Sequence, residues 1–130
     1  MIALDTEAII DIFKNKQEVI NLIKSLNEDL CSSIINYQEI MFGLDLENIK
    51  YVMEEDFYDD FFEGIFLFSM NKSSCKQSSR INWELVRKGK IIGEFDCMIA
   101  GILLANGVNK IITRDIKHFE NIKGLKAIGY

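Results

Sequence analysis

Short apolar runs alternate with longer amphipathic stretches along this chain, and the alternation predicts its elements. Ile2–Leu4, Leu30–Ile34, Ile65–Ser69, Lys110–Thr113 and Lys126–Ile128 are compact runs of strand length. Helical periodicity fills the gaps. Thr6 to Phe13 reads as a short helix that Asp5 or Thr6 can cap, and Glu18 to Leu26 carries a stripe of Val19, Leu22, Ile23 and Leu26. Tyr37, Ile40, Met41 and Leu44 mark a third helix at intervals of three and four. The acidic, aromatic-rich segment 47–63 reads as one helix or two, and Asn71 to Lys88 and Glu94 to Ala105 are the last long ones. Gly107 and Gly124 fall just past helical or turn segments, where a chain stops. Strands alternating with helices, and no hairpin signal, predict a three-layer α/β/α sandwich with a parallel five-stranded sheet. At 130 residues the expectation is a single domain over 1–130.

Four carboxylates stand where an apolar run has just ended or a helix is starting. Asp5 follows Ile2-Ala3-Leu4, Glu39 lies early in the segment after Leu30 to Ile35, Asp96 opens Cys97 to Ala105, and Asp115 follows Ile111-Ile112-Thr113. Open parallel sheets place their sites at the carboxyl ends of the strands, so acids scattered in sequence would converge on one rim. Clustered like charges repel unless a cation holds them, so the pattern predicts a divalent metal.

Each acid also has an ordinary explanation. Asp5 is accounted for by an N-cap, Asp96 by the helix dipole and Asp115 by a turn. Glu39 has Ile35, Phe42 and Gly43 as wheel neighbours and no basic residue one turn away. A partly buried carboxylate there needs a partner. Glu94 is two residues from Asp96 and cannot share its direction, which leaves it a supporting or structural role. The helix from Asp96 is apolar nearly all round, so it should be buried, with Ala100 and Gly101 letting its backbone approach the sheet.

Composition narrows the chemistry. Apolar residues make up 48% and charged residues 27%, the balance of a globular protein. Cys31, Cys75 and Cys97 are odd in number and far apart, which fits reduced thiols in a cytoplasm, and His118 is the only histidine. Zinc sites, catalytic triads and Cys–His nucleophiles are thereby nearly excluded. No run reaches membrane-spanning length, and the N-terminus lacks the features of a secretory signal. The net charge of −5 is concentrated in residues 47–63, where seven acids face Lys50 alone, and the remainder is close to neutral. Net charge alone therefore decides nothing about a polyanionic partner. Lys72, Lys76, Arg80 and Arg87 share an arc of one helix with Trp83; a solvated charged face explains them, and so would RNA contact. Arg114 and Lys117, beside Asp115, are the nearer candidates for a phosphate.

Taken in order, these segments resemble the PIN-domain ribonucleases, and within them the VapC-like toxins of type II toxin–antitoxin pairs. The matching pieces are Leu4-Asp5-Thr6 with Ile9-Ile10-Asp11, Ser33 through Glu39-Ile40 to Gly43, and Gly89-Lys90-Ile91-Ile92 leading to Asp96 and Ile99-Ala100. Ile112-Thr113-Arg114-Asp115 with His118-Phe119, and Ile122-Lys123-Gly124-Leu125, complete the set, while residues 45–80 match poorly. The resemblance implies a parallel five-stranded sheet between helices and metal-binding acids at Asp5, Glu39, Asp96 and Asp115. It further implies Mg²⁺- or Mn²⁺-dependent cleavage of RNA, a homodimer, and neutralisation by a small antitoxin. Thr113 and Thr6 would be hydroxyls supporting the ligands from behind. The competing readings are a phosphatase or phospho-acceptor domain, a nucleotide-binding module, and a catalytically inactive PIN-like module that binds RNA or protein. The first lacks its acid signatures and the second its glycine-rich loop.

Overall fold

The computed structural model describes every residue from Met1 to Tyr130. In chain order its elements are β1 (Ile2–Leu4), α1 (Thr6–Phe13), α2 (Gln17–Leu26), β2 (Leu30–Ser33), α3 (Ile34–Phe42), α4 (Val52–Glu63), β3 (Phe66–Phe68), α5 (Lys72–Lys88), α6 (Glu94–Ala105), β4 (Lys110–Ile112) and β5 (Lys126–Ile128). Short 3₁₀ turns at Ile49–Tyr51 and Ile116–His118 precede α4 and follow β4. The five strands form one sheet in the order β3-β2-β1-β4-β5, every pair parallel.

Alternation along the strands explains the three layers. Ile2, Leu4 and Ile112 pack on one face with Ala8, Ile9, Val19, Ile40, Tyr58 and Phe62, which brings α1 to α4 onto that side. Ala3, Cys31 and Ile111 point the other way, against Ile81 and Leu85 of α5 and Ile99, Ala100 and Leu103 of α6. The chain proceeds outward from β1 to β2 and β3, then returns to β1's other side with β4. That reversal opens a crevice at the carboxyl ends of β1 and β4.

Boundaries shift where side chains compete for the backbone. Leu30–Ile34 ends as a strand at Ser33, because Asn36 Oδ1 accepts hydrogen bonds from the Ser33 N–H (3.2 Å) and O–H (2.6 Å) and the Asn36 N–H donates to Ser33 Oγ (3.3 Å). This capping box pulls Ile34 into α3. Ile65–Ser69 shortens to Phe66–Phe68, and Lys110–Thr113 to Lys110–Ile112. The 47–63 segment is a 3₁₀ turn followed by a single α-helix. Gly107 has φ +73°, the left-handed turn expected of a stop after α6.

Gly101 corrects the expectation for α6. A Cβ there would lie 2.1 Å from Ser78 Oγ, 2.7 Å from Ser78 N and 2.8 Å from Ser74 O. The glycine therefore admits α5, not the sheet. Its neighbours also fix direction: Ser74 and Ser78 lie beside Gly101, while Ser78, Ser79 and Asn82 meet Glu94, Cys97 and Met98. The helices are antiparallel, so the C-terminal end of α5 lies toward the start of α6.

Candidate active site

Asp5 leaves β1 at the crevice and caps α1. Its Oδ1 accepts the Thr6 N–H at 2.8 Å and the Asn36 side-chain amide at 3.4 Å, while Oδ2 accepts the Thr113 hydroxyl at 2.8 Å. The side chain is only 7% exposed, and no lysine or arginine pairs with it. Burial drives its pKa up to about 6, despite the hydrogen bonds from Thr113 and Thr6, with the nearby charges of Asp96 and Glu39 adding to the rise. The residue that caps α1 therefore also stands near two further acids, Asp96 and Glu39.

Thr6 and Thr113 connect the acids. The Thr6 hydroxyl donates to Glu39 Oε1 at 2.6 Å and accepts from Asn36 Nδ2 at 3.0 Å. Half-buried Glu39 thus obtains its partner from a neutral hydroxyl, not a cation. The fully buried Thr113 donates to Asp5 and accepts the Asp115 N–H at 3.1 Å, tying the end of β1 to the loop after β4.

Asp96 sits in the first turn of α6, half-buried, and Asp115 is half-exposed after β4. His118 lies between them, its Nδ1 3.2 Å from Asp96 Oδ2 and its Nε2 3.0 Å from Asp115 Oδ2. Burial raises the pKa of Asp96; His118 opposes the rise, and Glu39 and Asp115 reinforce it. The four acids thus share one rim and act on one another electrostatically. No three metal-ligating side chains are gathered at coordination spacing, however. Asp5 and Glu39 are instead held by hydroxyl and amide donors, and Asp96 and Asp115 share the His118 imidazole.

The donor set nevertheless suits a hard divalent cation. Every acid on the rim offers carboxylate oxygen, no thiol or basic side chain other than His118 stands among them, and their repulsion favours a positive occupant. Mg²⁺ tolerates a sparse protein shell because it keeps several waters.

The basic candidates separate. Arg114 is not free for a phosphate: its guanidinium reaches Glu7 at 2.6 Å and Asp11 at 3.2 Å, bracing α1 against the end of β4. Lys117 is exposed and unpaired beside His118. Arg80 and Arg87 are exposed on α5, Arg87 near the end that leads toward Asp96. Asp11 is a carboxylate whose importance sequence reading missed. Fully buried, it accepts the Tyr130 hydroxyl at 2.7 Å and pairs with Lys16 at 3.0 Å as well as Arg114. Burial pushes its pKa up, but those three partners outweigh burial and hold it below the ordinary carboxylate value. Asn36 was also missed, although Ser33-x-x-Asn36 before an apolar run was a readable cap signal.

The PIN domain family model matches residues 2–125. The tRNA(fMet)-specific endonuclease VapC of Salmonella typhimurium is 28% identical over 124 residues, covering 95% of this chain and 92% of that protein. Its Shigella flexneri namesake is 29% identical over 127 residues, covering 95% and 93%. Among solved structures, VapBC2 from Rickettsia felis bound to a promoter DNA fragment superposes with a TM-score of 0.85 at 25% identity, covering 100% of this chain and 99% of that one. VapBC-1 from nontypeable Haemophilus influenzae gives 0.82 at 27% identity, covering 99% and 98%.

Proposed function

This chain belongs to the PIN-domain family, and on that premise we propose that it is a divalent-metal-dependent ribonuclease of the VapC-like toxin class. The observation that carries the proposal is the unpaired, buried Asp5 beside Asp96 and Glu39, a charge without a cation in a crevice at the sheet's switch point. Asp5 and Asp96 would be the principal ligands of Mg²⁺ or Mn²⁺, with Glu39 and Asp115 direct or water-mediated. The chemistry the ion would supply there when bound is positive charge against the phosphodiester oxygens and a more acidic water for hydrolysis.

The chain's own residues position that chemistry. Thr113, Thr6 and Asn36 fix both oxygens of Asp5, so its orientation costs no further entropy on binding. Thr6 orients Glu39 through Oε1 and leaves Oε2 without a protein hydrogen bond. Burial of Asp5 under α1 and β4 keeps bulk water from screening its charge. Lys117, exposed and unpaired next to His118, is a free cation for an RNA phosphate.

RNA is the proposed substrate, consistent with relatives named as tRNA endonucleases. A small antitoxin is the proposed partner, and the chain is proposed to act in the cytoplasm as a homodimer. No helix is long and apolar enough to cross a membrane. Support for an antitoxin comes from a groove of about 300 Å³ in which the apolar Ile10, Phe13, Ile40, Leu44 and Tyr58 stand beside the charged Lys14, Glu39 and Glu54. Support for a second copy comes from the exposed Phe42–Phe95 stack, with ring centroids 6.5 Å apart.

The absence of three carboxylates at coordination spacing favours a second reading, a PIN-like module that binds RNA or protein without cutting. Cleavage of RNA by wild type, Asp5→Asn and Asp96→Asn, each with Mg²⁺, Mn²⁺ or EDTA, separates the two. The ribonuclease predicts metal-dependent cutting by wild type alone. Equal rates in all three proteins, or cutting in EDTA, removes the mechanism; no cutting under any condition leaves the binding module.

A further inference from the structure

We infer that the outward face of α5 is a docking surface for the sugar–phosphate backbone of RNA, leading toward the carboxylate rim; the inference rests on the ribonuclease reading and deepens it. At 100° per residue, Lys72, Trp83, Lys76, Arg87 and Arg80 fall within an arc of about 80°. Ser74, Ser78, Ile81 and Leu85, the buried residues of α5, lie on the opposite side. The arc therefore points straight into solvent. Lys72 to Arg87 spans about 22 Å at 1.5 Å per residue, with the three charges Lys72, Lys76 and Arg80 about 6 Å apart along the axis.

Charge and apolar exposure together distinguish this face from an ordinary solvated one. The helix carries five basic residues and one acid. That acid, Glu84, is already paired with Lys88 at 3.0 Å, and no carboxylate pairs with Lys72, Lys76, Arg80 or Arg87. Four uncompensated cations in a chain of net charge −5 form a local positive field on an otherwise acidic molecule. Trp83 lies in the middle of the arc and is 57% exposed. A bare indole between cations offers a base-stacking plane flanked by phosphate contacts, the combination that holds nucleic acid without reading its sequence.

Direction links the arc to the site. Because α5 and α6 are antiparallel, Arg87 lies at the end from which Gly89 to Gly93 leads into α6 and Asp96. A strand tracking along the arc from Lys72 moves toward the end of α5 nearer the start of α6, on the face of the sheet opposite α4.

The test uses the uncut state: the full chain as Asp96→Asn, in EDTA, titrated with fluorescein-labelled bulk tRNA across a salt series. Trp83 is the only tryptophan, so its emission reports this surface alone. The expected result is quenching of Trp83 in step with the anisotropy rise. Replacing Lys72, Lys76, Arg80 and Arg87 with Gln should flatten the slope of log K against log salt by about 3, from four contacts at 0.7–0.9 each. Lys72→Arg with Lys76→Arg should keep the parent slope, and circular dichroism of every variant should match the parent. Saturating anisotropy with unmoved Trp83 emission and an unchanged slope would overturn the surface while leaving the nuclease reading intact. Tighter binding of duplex DNA than of RNA, or no RNA binding, would overturn it too. Failure of wild type to cut RNA with any divalent metal sinks the nuclease reading separately.

Discussion

Asp5→Asn should stabilise the metal-free protein while abolishing its activity. The folded carboxyl has a pKa near 6 against an ordinary 3.8, so the native state binds this proton more tightly than the unfolded chain. At 1.36 kcal/mol per pH unit the ionised group opposes folding by about 3 kcal/mol once the pH is well above 6. Below about pH 4 both states are protonated and the penalty vanishes; it grows as pH rises from about 4 to about 6. Asparagine has the same shape and no charge. Its oxygen can keep the Thr6 N–H and Asn36 contacts at Oδ1, but its amide replaces the acceptor that Thr113 uses at Oδ2. Reorienting that hydroxyl costs about 1 kcal/mol, which leaves a net gain of about 2 kcal/mol at pH 7.5. For a chain of this length that is a rise in Tm of roughly 6–10 °C, measured calorimetrically in EDTA. The gain should be absent at pH 4. Adding Mn²⁺ at a hundred times its Kd should stabilise wild type by about 2.7 kcal/mol and leave the variant unmoved. If the variant is less stable than wild type in EDTA by the same margin at both pH values, Asp5 is simply a cap, and the uncompensated-charge reasoning is wrong.

Three further outcomes follow from the packing and the hydrogen bonds. Asp11→Ala should cost about 3 kcal/mol near neutral pH by stranding the Tyr130 hydroxyl and loosening Lys16 and Arg114, seen as a lower urea midpoint. Because its folded pKa is depressed, Asp11's contribution is present above the ordinary carboxylate value and is lost as pH falls below it; a deficit that persisted undiminished in strong acid would contradict the pairing. Gly101→Ala should destabilise by about 2–4 kcal/mol, and adding Ser78→Ala should recover only part, because the Ser78 N and Ser74 O clashes at 2.7 and 2.8 Å are backbone; full recovery would mean the helices separate easily. Thr6→Val should lower RNA cleavage about tenfold with a stability change near 1 kcal/mol, since it removes the donor that aims Glu39; unchanged cleavage would take Glu39 out of the site.

The sequence determined the elements and the fold. Apolar runs of three to five residues beginning at Ile2, Leu30, Ile65, Lys110 and Lys126 are satisfied as strands, β1, β2 and β4 largely buried and the edge strands β3 and β5 partly exposed, and helical stripes between them required crossover connections and hence a parallel sheet. A shared rim was legible too, because Asp5, Asp96 and Asp115 each stand at a strand end or a helix start; that β1 and β4 are neighbours was not. Tertiary structure alone decided what each acid meets. Thr6 is far from Glu39 in sequence and Asn36 far from Asp5, yet they bond across α1 and α3; Thr113 reaches Asp5 only because β4 lies beside β1. Arg114 reads in sequence as a cation beside an acid, but the packing of α1 gives it Glu7 and Asp11 instead. Local pattern carries periodicity, which acts over a few residues. The partner of a polar side chain is fixed by close packing between distant segments, and no stretch of chain holds that information by itself.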